Sequence, residues 1–187
     1  MKKRTIIVTI VILVVIFCDQ FFKIWVKTHM PFGSEIPIMG DWFRLHFTEN
    51  PGIAFGLEFG GRTGKIFLTL FRLLAVILIG YYLVKVIKAE LPVGFCVSMA
   101  LIFIGAIGNI VDSLFYGIIF KYDTFFHGRV VDMLYFPVIQ THYPQWFPIW
   151  AGNEFIFFRP VFNLSDTAIT IGVFSILLFY SKTLKRI

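Results

Sequence analysis

The chain has 187 residues, 58% of them hydrophobic and 24 of them Phe, with a mean hydropathy of +0.82. Too few polar side chains remain to cover a water-soluble domain of this length, so the solvent is read as a bilayer. The net charge of +6 is not laid out as a nucleic-acid surface: Lys2, Lys3, Arg4, Lys85, Lys88, Lys182, Lys185 and Arg186 lie with Glu90 in three short segments beside apolar runs, and the rest of the chain is nearly neutral.

That asymmetry follows the positive-inside rule and predicts both termini on the cytoplasmic side. Four apolar runs, about 5–26, 66–87, 93–114 and 161–180, each reach the ~20 residues a helix needs to span. The expected fold is therefore an all-α membrane protein, a single domain over 1–187. It is a four-helix bundle with outer segments 27–65 and 115–160.

The first run starts like a secretory signal, behind Lys2-Lys3-Arg4. Asp19-Gln20-Phe21-Phe22-Lys23 then follows Cys18 with no small-x-small cleavage site, so the helix is expected to be retained. Asp19 and Lys23 are an i,i+4 pair about 10 Å inside the outer end. In the next segment Phe43, Leu45 and Phe47 alternate with Arg44, His46 and Thr48, which predicts a strand. Glu49-Asn50-Pro51-Gly52 supplies a turn, and 53–57 is expected to return as a second strand. A small sheet on the bilayer surface is the result.

The second run carries Arg72, also about 10 Å inside. A short basic turn at 85–91 makes the second and third helices antiparallel neighbours. On the third, Gly105 and Gly108 permit close helix approach, and Asn109 and Asp112 share a face at i,i+3. Cys18 and Cys96 fall at opposite ends of their helices, which excludes a disulfide between them. Segment 115–160 is rich in aromatics and Pro, including Trp146 and Trp150, and suits the headgroup interface. It also holds Asp132. The fourth run opens on a second i,i+3 pair, Asn163 and Asp166.

An up-down-up-down bundle brings Asp19, Asn50, Asn109, Asp112, Asp132, Asn163 and Asp166 to one level. A structural reading exists for several of them: Asp19 with Lys23 as an ion pair, the Asn side chains as interhelical hydrogen-bonding groups. Asp166 is harder to place that way, because a carboxylate in an apolar helix needs a reason. GxSxG, HExxH and GxGD motifs are absent, and the four His have no ligand-like spacing. A Ser–Lys dyad stays open, although no Ser–Lys pair stands out, and carboxylates remain as the reactive groups the pattern favours. Two of them sharing a proton hydrolyse a peptide bond without metal, cofactor or covalent intermediate. The rival reading is a small proton-coupled transporter or channel subunit. It would thread its charges through the membrane's depth, whereas these stop at the outer level.

Five blocks in order, Asp19-Gln20-Phe21-Phe22-Lys23, Glu49-Asn50-Pro51-Gly52-Ile53-Ala54-Phe55-Gly56, Gly105-Ala106-Ile107-Gly108-Asn109-Ile110-Val111-Asp112, Gly128-Arg129-Val130-Val131-Asp132 and Phe162-Asn163-Leu164-Ser165-Asp166, make the chain resemble the lipoprotein signal peptidases, the type II signal peptidases of bacteria. The resemblance covers nearly the whole sequence. It implies a multi-pass aspartic endopeptidase of the inner membrane, with a small periplasmic β-cradle and its site on the periplasmic side. Such an enzyme cuts a prolipoprotein just before its diacylglyceryl-modified cysteine, amid membrane lipid, and globomycin-type peptides inhibit it. The implied catalytic pair is Asp132 and Asp166. The implied supporting residues are Asp19, Lys23, Asn50, Gly52, Asn109, Asp112, Arg129 and Asn163. No cofactor, metal or nucleic acid is implied. Two departures stand out. Ser113 follows Asp112 where the family usually has Arg, and Arg72 is expected to stand in as the counter-charge near Asp112 and Asp19. The segments on either side of Asp132 are also longer than the family's, which adds aromatic material near the site.

Overall fold

The computed structural model describes residues 1–51 and 61–184. In chain order these form α1 (Lys2–His29), β1 (Glu35–Met39), β2 (Phe43–Asn50), α2 (Gly61–Lys88), α3 (Val93–Ile119), β3 (Val130–Tyr135), β4 (Ile139–His142), β5 (Glu154–Phe157), β6 (Val161–Phe162), α4 (Leu164–Phe179) and α5 (Ser181–Leu184).

The helices α1, α2 and α3 have 28, 28 and 27 residues and are apolar enough to cross a membrane. Within their most apolar windows 44% of α3 is buried, against 11% of α1 and of α2. So α3 is the central post, and it packs against each of α1, α2 and α4. Its contact with α4 is the most extensive in the molecule. Small residues make that approach possible: a Cβ on Gly105 would stand 2.8 Å from Ile169 Cγ1, and one on Gly108 would stand 2.7 Å from Asp19 Oδ2. The two glycines thus admit α4 and α1 to the same turn of α3.

Two expectations need correction. The fourth helix starts at Leu164, not 161, and has 16 residues. Val161 and Phe162 pair instead with Tyr135 and Leu134 of β3, and Asn163 caps the helix by accepting a hydrogen bond from the Asp166 N–H. The all-α description is also too narrow. An antiparallel sheet of order β1-β2-β3-β6 takes β3 from the second outer segment and β6 from the start of the expected fourth run. The expected strand over 43–48 is present within β2, whose neighbours are β1 and β3. The return strand at 53–57 lies outside the described residues. Finally, β4 and β5 form a separate hairpin.

Two apolar cores hold the bundle. One, around Phe95, Cys96, Ala100, Leu83 and Ile176, joins the helices near the α2–α3 turn. The other sits at the sheet end, where Val26 and Tyr116 meet Phe47, Val131 and Met133. Both cysteines are free thiols. At the far end from the sheet, the N-terminal amine and Arg4 both pair with Glu90, at 3.0 and 3.4 Å. This places the chain's start beside the basic α2–α3 turn.

Candidate active site

The sheet end of the bundle holds a dense set of buried polar groups. Lys23 of α1 is at its centre, fully buried, with its Nζ 2.9 Å from Asp19 Oδ2 and 2.8 Å from Asp112 Oδ2. The ammonium's third bond goes to Asn109 Oδ1 at 3.1 Å. Three donors meet three acceptors, which is the condition for keeping such a charge out of water. Gln20 closes the cluster. Its amide donates to Asp19 Oδ2 at 3.1 Å and to Asp112 Oδ1 at 3.0 Å, while its Oε1 accepts from the Tyr116 hydroxyl at 3.1 Å.

These groups also fix the elements that follow. Asp19 Oδ1 accepts the backbone N–H of Ser165 at 2.9 Å, so a carboxylate from α1 serves the N-terminus of α4, where negative charge is favoured. Asp112 Oδ2 accepts from Val131 N–H at 3.4 Å and ties α3 to the strand that carries Asp132.

The two remaining aspartates lie at either end of a pair of amides. Asn163 Nδ2 donates to Asp132 Oδ1 at 2.7 Å and to Asn109 Oδ1 at 3.2 Å. Asn109 Nδ2 donates to Asp166 Oδ1 at 2.8 Å. Each carboxylate is thus held through one oxygen, and the second oxygen of each has no hydrogen bond among the described residues. Asp132 is delivered by β-sheet register, opposite Thr48 of β2, and is buried. Burial, and then the neighbouring Asp166 charge, push its carboxyl up to about 7 against the opposing pull of Asn163 and Lys23. Two carboxyls near one another, one of them neutral near pH 7, are equipped to take a proton from water and give one to a carbonyl.

Of the expected supporting residues, Asp19, Lys23, Asn109, Asp112 and Asn163 belong to this network. Asn50 ends β2, in register with Val130, two residues from Asp132. Gly52 lies outside the described residues. Arg129 is brought elsewhere: its guanidinium reaches Glu49 Oε2 at 3.4 Å and lies over the Tyr122 ring. Glu49 also pairs with Lys27, whose ammonium sits 4.9 Å from the Phe120 ring centre and 4.5 Å from that of Tyr122.

The expectation for Arg72 needs correction too. Asp112 and Asp19 already have Lys23 as their cation. The carboxylates that act electrostatically on half-buried Arg72 are Asp166 and Asp132. Ser113, at the position without the family's arginine, turns back onto its own helix and donates to Asn109 O at 2.9 Å.

Sequence reasoning missed Gln20, Tyr116 and Lys27. Two of them carried a signal. Tyr116 is four residues beyond Asp112 and Lys27 is four beyond Lys23, on the faces already marked.

Acidic residues within the helices, Asp19, Asp112 and Asp166, all gather at this end among the described residues. No group of three or more His, Cys, Asp or Glu among them is arranged to hold a metal ion.

Comparison with known proteins bears on this arrangement. Residues 11–182 match the model of a family described as signal peptidase (SPase) II. A lipoprotein signal peptidase of Porphyromonas gingivalis is 45% identical over 95% of this chain and 84% of its own. One from Amoebophilus asiaticus is 37% identical over 89% and 74% respectively. Among solved structures, a bacterial membrane enzyme determined by the in meso method at 2.3 Å resolution superposes with a TM-score of 0.64. It is 23% identical, over 96% of this chain and 90% of that one, a likeness of fold.

Proposed function

Because the chain belongs to the signal peptidase II family, membrane aspartic peptidases that remove the signal peptide of prolipoproteins, we propose that Asp132 and Asp166 are its catalytic pair. The observation that carries the assignment is the bridge Asp132–Asn163–Asn109–Asp166, which links a carboxyl on a strand to one in the first turn of a helix through two amides. Asp132, neutral up to about pH 7, holds the shared proton, and Asp166 is the base.

The reaction then runs without a covalent intermediate. Asp166 takes a proton from water as the water oxygen bonds to the scissile carbonyl carbon, and Asp132 gives its proton to the carbonyl oxygen. Collapse of the gem-diol breaks the C–N bond. The leaving nitrogen takes the proton from Asp166, and the diol hydroxyl returns one to Asp132, which restores the pair.

The fourth helix completes a bundle of four spans, with both termini on the cytoplasmic side and the site facing the periplasm across the bacterial inner membrane. Support comes from the cation-rich end, where the chain's start meets the α2–α3 turn, lying opposite the sheet. A site at that level suits a peptide bond next to a cysteine whose diacylglyceryl group is anchored in the outer leaflet. The anchor turns a three-dimensional search into positioned delivery. Cleavage of one prolipoprotein before and after diacylglyceryl transfer tests the function directly. The modified form is expected to be cut efficiently and the unmodified form at least tenfold more slowly, on the order of the smaller positioning effects. Equal rates would show that the lipid does not position the bond.

The pH profile tests the proton assignment. Burial raises the Asp132 pKa, so its neutral form persists to near neutrality and is lost above it. Once both carboxyls are ionised neither can protonate the carbonyl. Activity is therefore expected to fall on the alkaline side with an apparent pKa of about 7, a property of the pair as a whole. A profile flat from pH 6 to pH 9 would place the proton elsewhere.

A further inference from the structure

Between β3, which carries Asp132, and α4, which carries Asp166, the chain leaves the sheet to form the β4–β5 hairpin. The four residues Ile139–His142 pair with Glu154–Phe157, and they extend about 13 Å at ~3.3 Å per residue. Such a two-stranded unit is marginal in water unless something covers it. One side of its tip packs on itself: Tyr143 lies against Trp150 and Phe155 at ring separations of 5.7 and 5.3 Å, and Phe147 stacks on Trp150 at 5.8 Å. The other side is bare. Trp146 is 78% exposed and Ile149 75%.

Those two values identify the missing cover. Among the described residues, the other large apolar side chains at least 70% exposed are Phe17, Phe67, Leu178 and Phe179, all on the apolar helices α1, α2 and α4 that are read as spanning the bilayer. The tip is therefore as bare as the surfaces that face lipid chains. Its chemistry differs from theirs in one respect. Residues 143–153 carry no charged side chain, and they combine Trp, Tyr and Phe with Pro, Gln and Asn. Rings with a polar edge among uncharged polar groups are the composition of the headgroup boundary, not of the hydrocarbon centre. The apolar surface is also continuous with the bundle. Phe158, at the hairpin's base, contacts Phe162, which stacks on Phe136 one residue before α4 is capped.

We propose that the hairpin tip is an interfacial anchor, with Trp146 and Ile149 seated in the headgroup region of the leaflet on the sheet side. Its partner is a lipid surface. Because the hairpin is the covalent link between the strand of Asp132 and the helix of Asp166, its seating holds both residues at a fixed depth.

The test is fluorescence of the full-length protein in phosphatidylcholine vesicles, so its failure would leave the peptidase reading untouched. The chain has four Trp. Trp25→Phe with Trp42→Phe leaves Trp146 and Trp150 as the indoles. Expected is strong quenching by lipid brominated near the top of its acyl chains, weaker quenching by lipid brominated near the chain ends, and little by aqueous iodide. Adding Ile149→Ser is expected to reduce the shallow-lipid quenching severalfold without moving the thermal midpoint. Full quenching by iodide would overturn the proposal by placing the tip in water. Protection from both iodide and brominated lipid would overturn it by placing the tip against protein. Should the Trp25 and Trp42 replacements impair folding, a polarity-sensitive dye on Ile149→Cys, with Cys18 and Cys96 replaced by Ser, reads the same depth.

Discussion

Asp132→Asn and Asp166→Asn are each expected to lower prolipoprotein cleavage by roughly 10²–10⁴-fold, the usual worth of a positioned acid or base, while the protein still inserts and unfolds at its normal temperature. Asparagine is chosen for what it preserves. The oxygen of Asp132 that accepts from Asn163, and the oxygen of Asp166 that accepts from Asn109, both have counterparts in an amide. The bridge can therefore stay in place while the titratable proton is lost. The double replacement is expected to fall no further than either single one, since groups that act as a unit are not additive. The measurement is the rate at which a diacylglyceryl-modified substrate shifts to its mature mass. Near-normal turnover by either single variant would remove that residue from the pair.

Lys23→Met is expected to act on stability rather than on chemistry, and by a larger amount than any other single change near the site. Its ammonium neutralises two carboxylates, Asp19 and Asp112, and all three side chains are fully buried. Methionine matches its shape but leaves both anions without a cation. Breaking a buried pair by removing one partner costs about 3–5 kcal/mol, a large share of the ~5–15 kcal/mol that holds a typical domain together. A lower thermal midpoint in detergent and a lower folded yield are expected. Adding Asp112→Asn to Lys23→Met should recover part of the loss, because one uncompensated charge disappears with it. A Lys23→Met protein with an unchanged midpoint would show that Gln20 and the Ser165 and Val131 N–H groups satisfy the carboxylates without a cation.

Much of this site was legible because its residues sit on helices, where spacing determines which side chains meet. Asp19 with Lys23 and Asn109 with Asp112 follow from i,i+4 and i,i+3 neighbours on helices, whereas Asn163 meets the Asp166 N–H as the cap of α4. Asp132 is different. Its position depends on β3 pairing with β2, a contact between distant parts of the chain that no local pattern encodes. The strand itself was hidden because five of its six residues are buried, so the polar–apolar alternation of a half-exposed strand is missing. Val161 and Phe162 merged with the apolar run of α4 for a similar reason: a two-residue strand has no period to detect. Arg72 was expected beside Asp112 and Asp19, but the carboxylates that act on it are Asp166 and Asp132. Depth can be counted along a helix, whereas the direction a long side chain takes depends on which neighbours are already satisfied.

The Lys23 cluster also has a history during synthesis. Asp112 follows Gln20 by 92 residues, and Ser165 follows Asp19 by 146. At ~5–20 residues per second, α1 meets the membrane roughly 5–20 s before the first of its distant partners has been made. In that interval the carboxylate of Asp19 has one cation within reach, the Lys23 ammonium one turn along the same helix. The i,i+4 spacing therefore lets a nascent α1 enter the bilayer as a nearly neutral segment and wait there. When α3 and α4 arrive, Asp112, Asn109 and the Ser165 N–H join the pair that has kept their place.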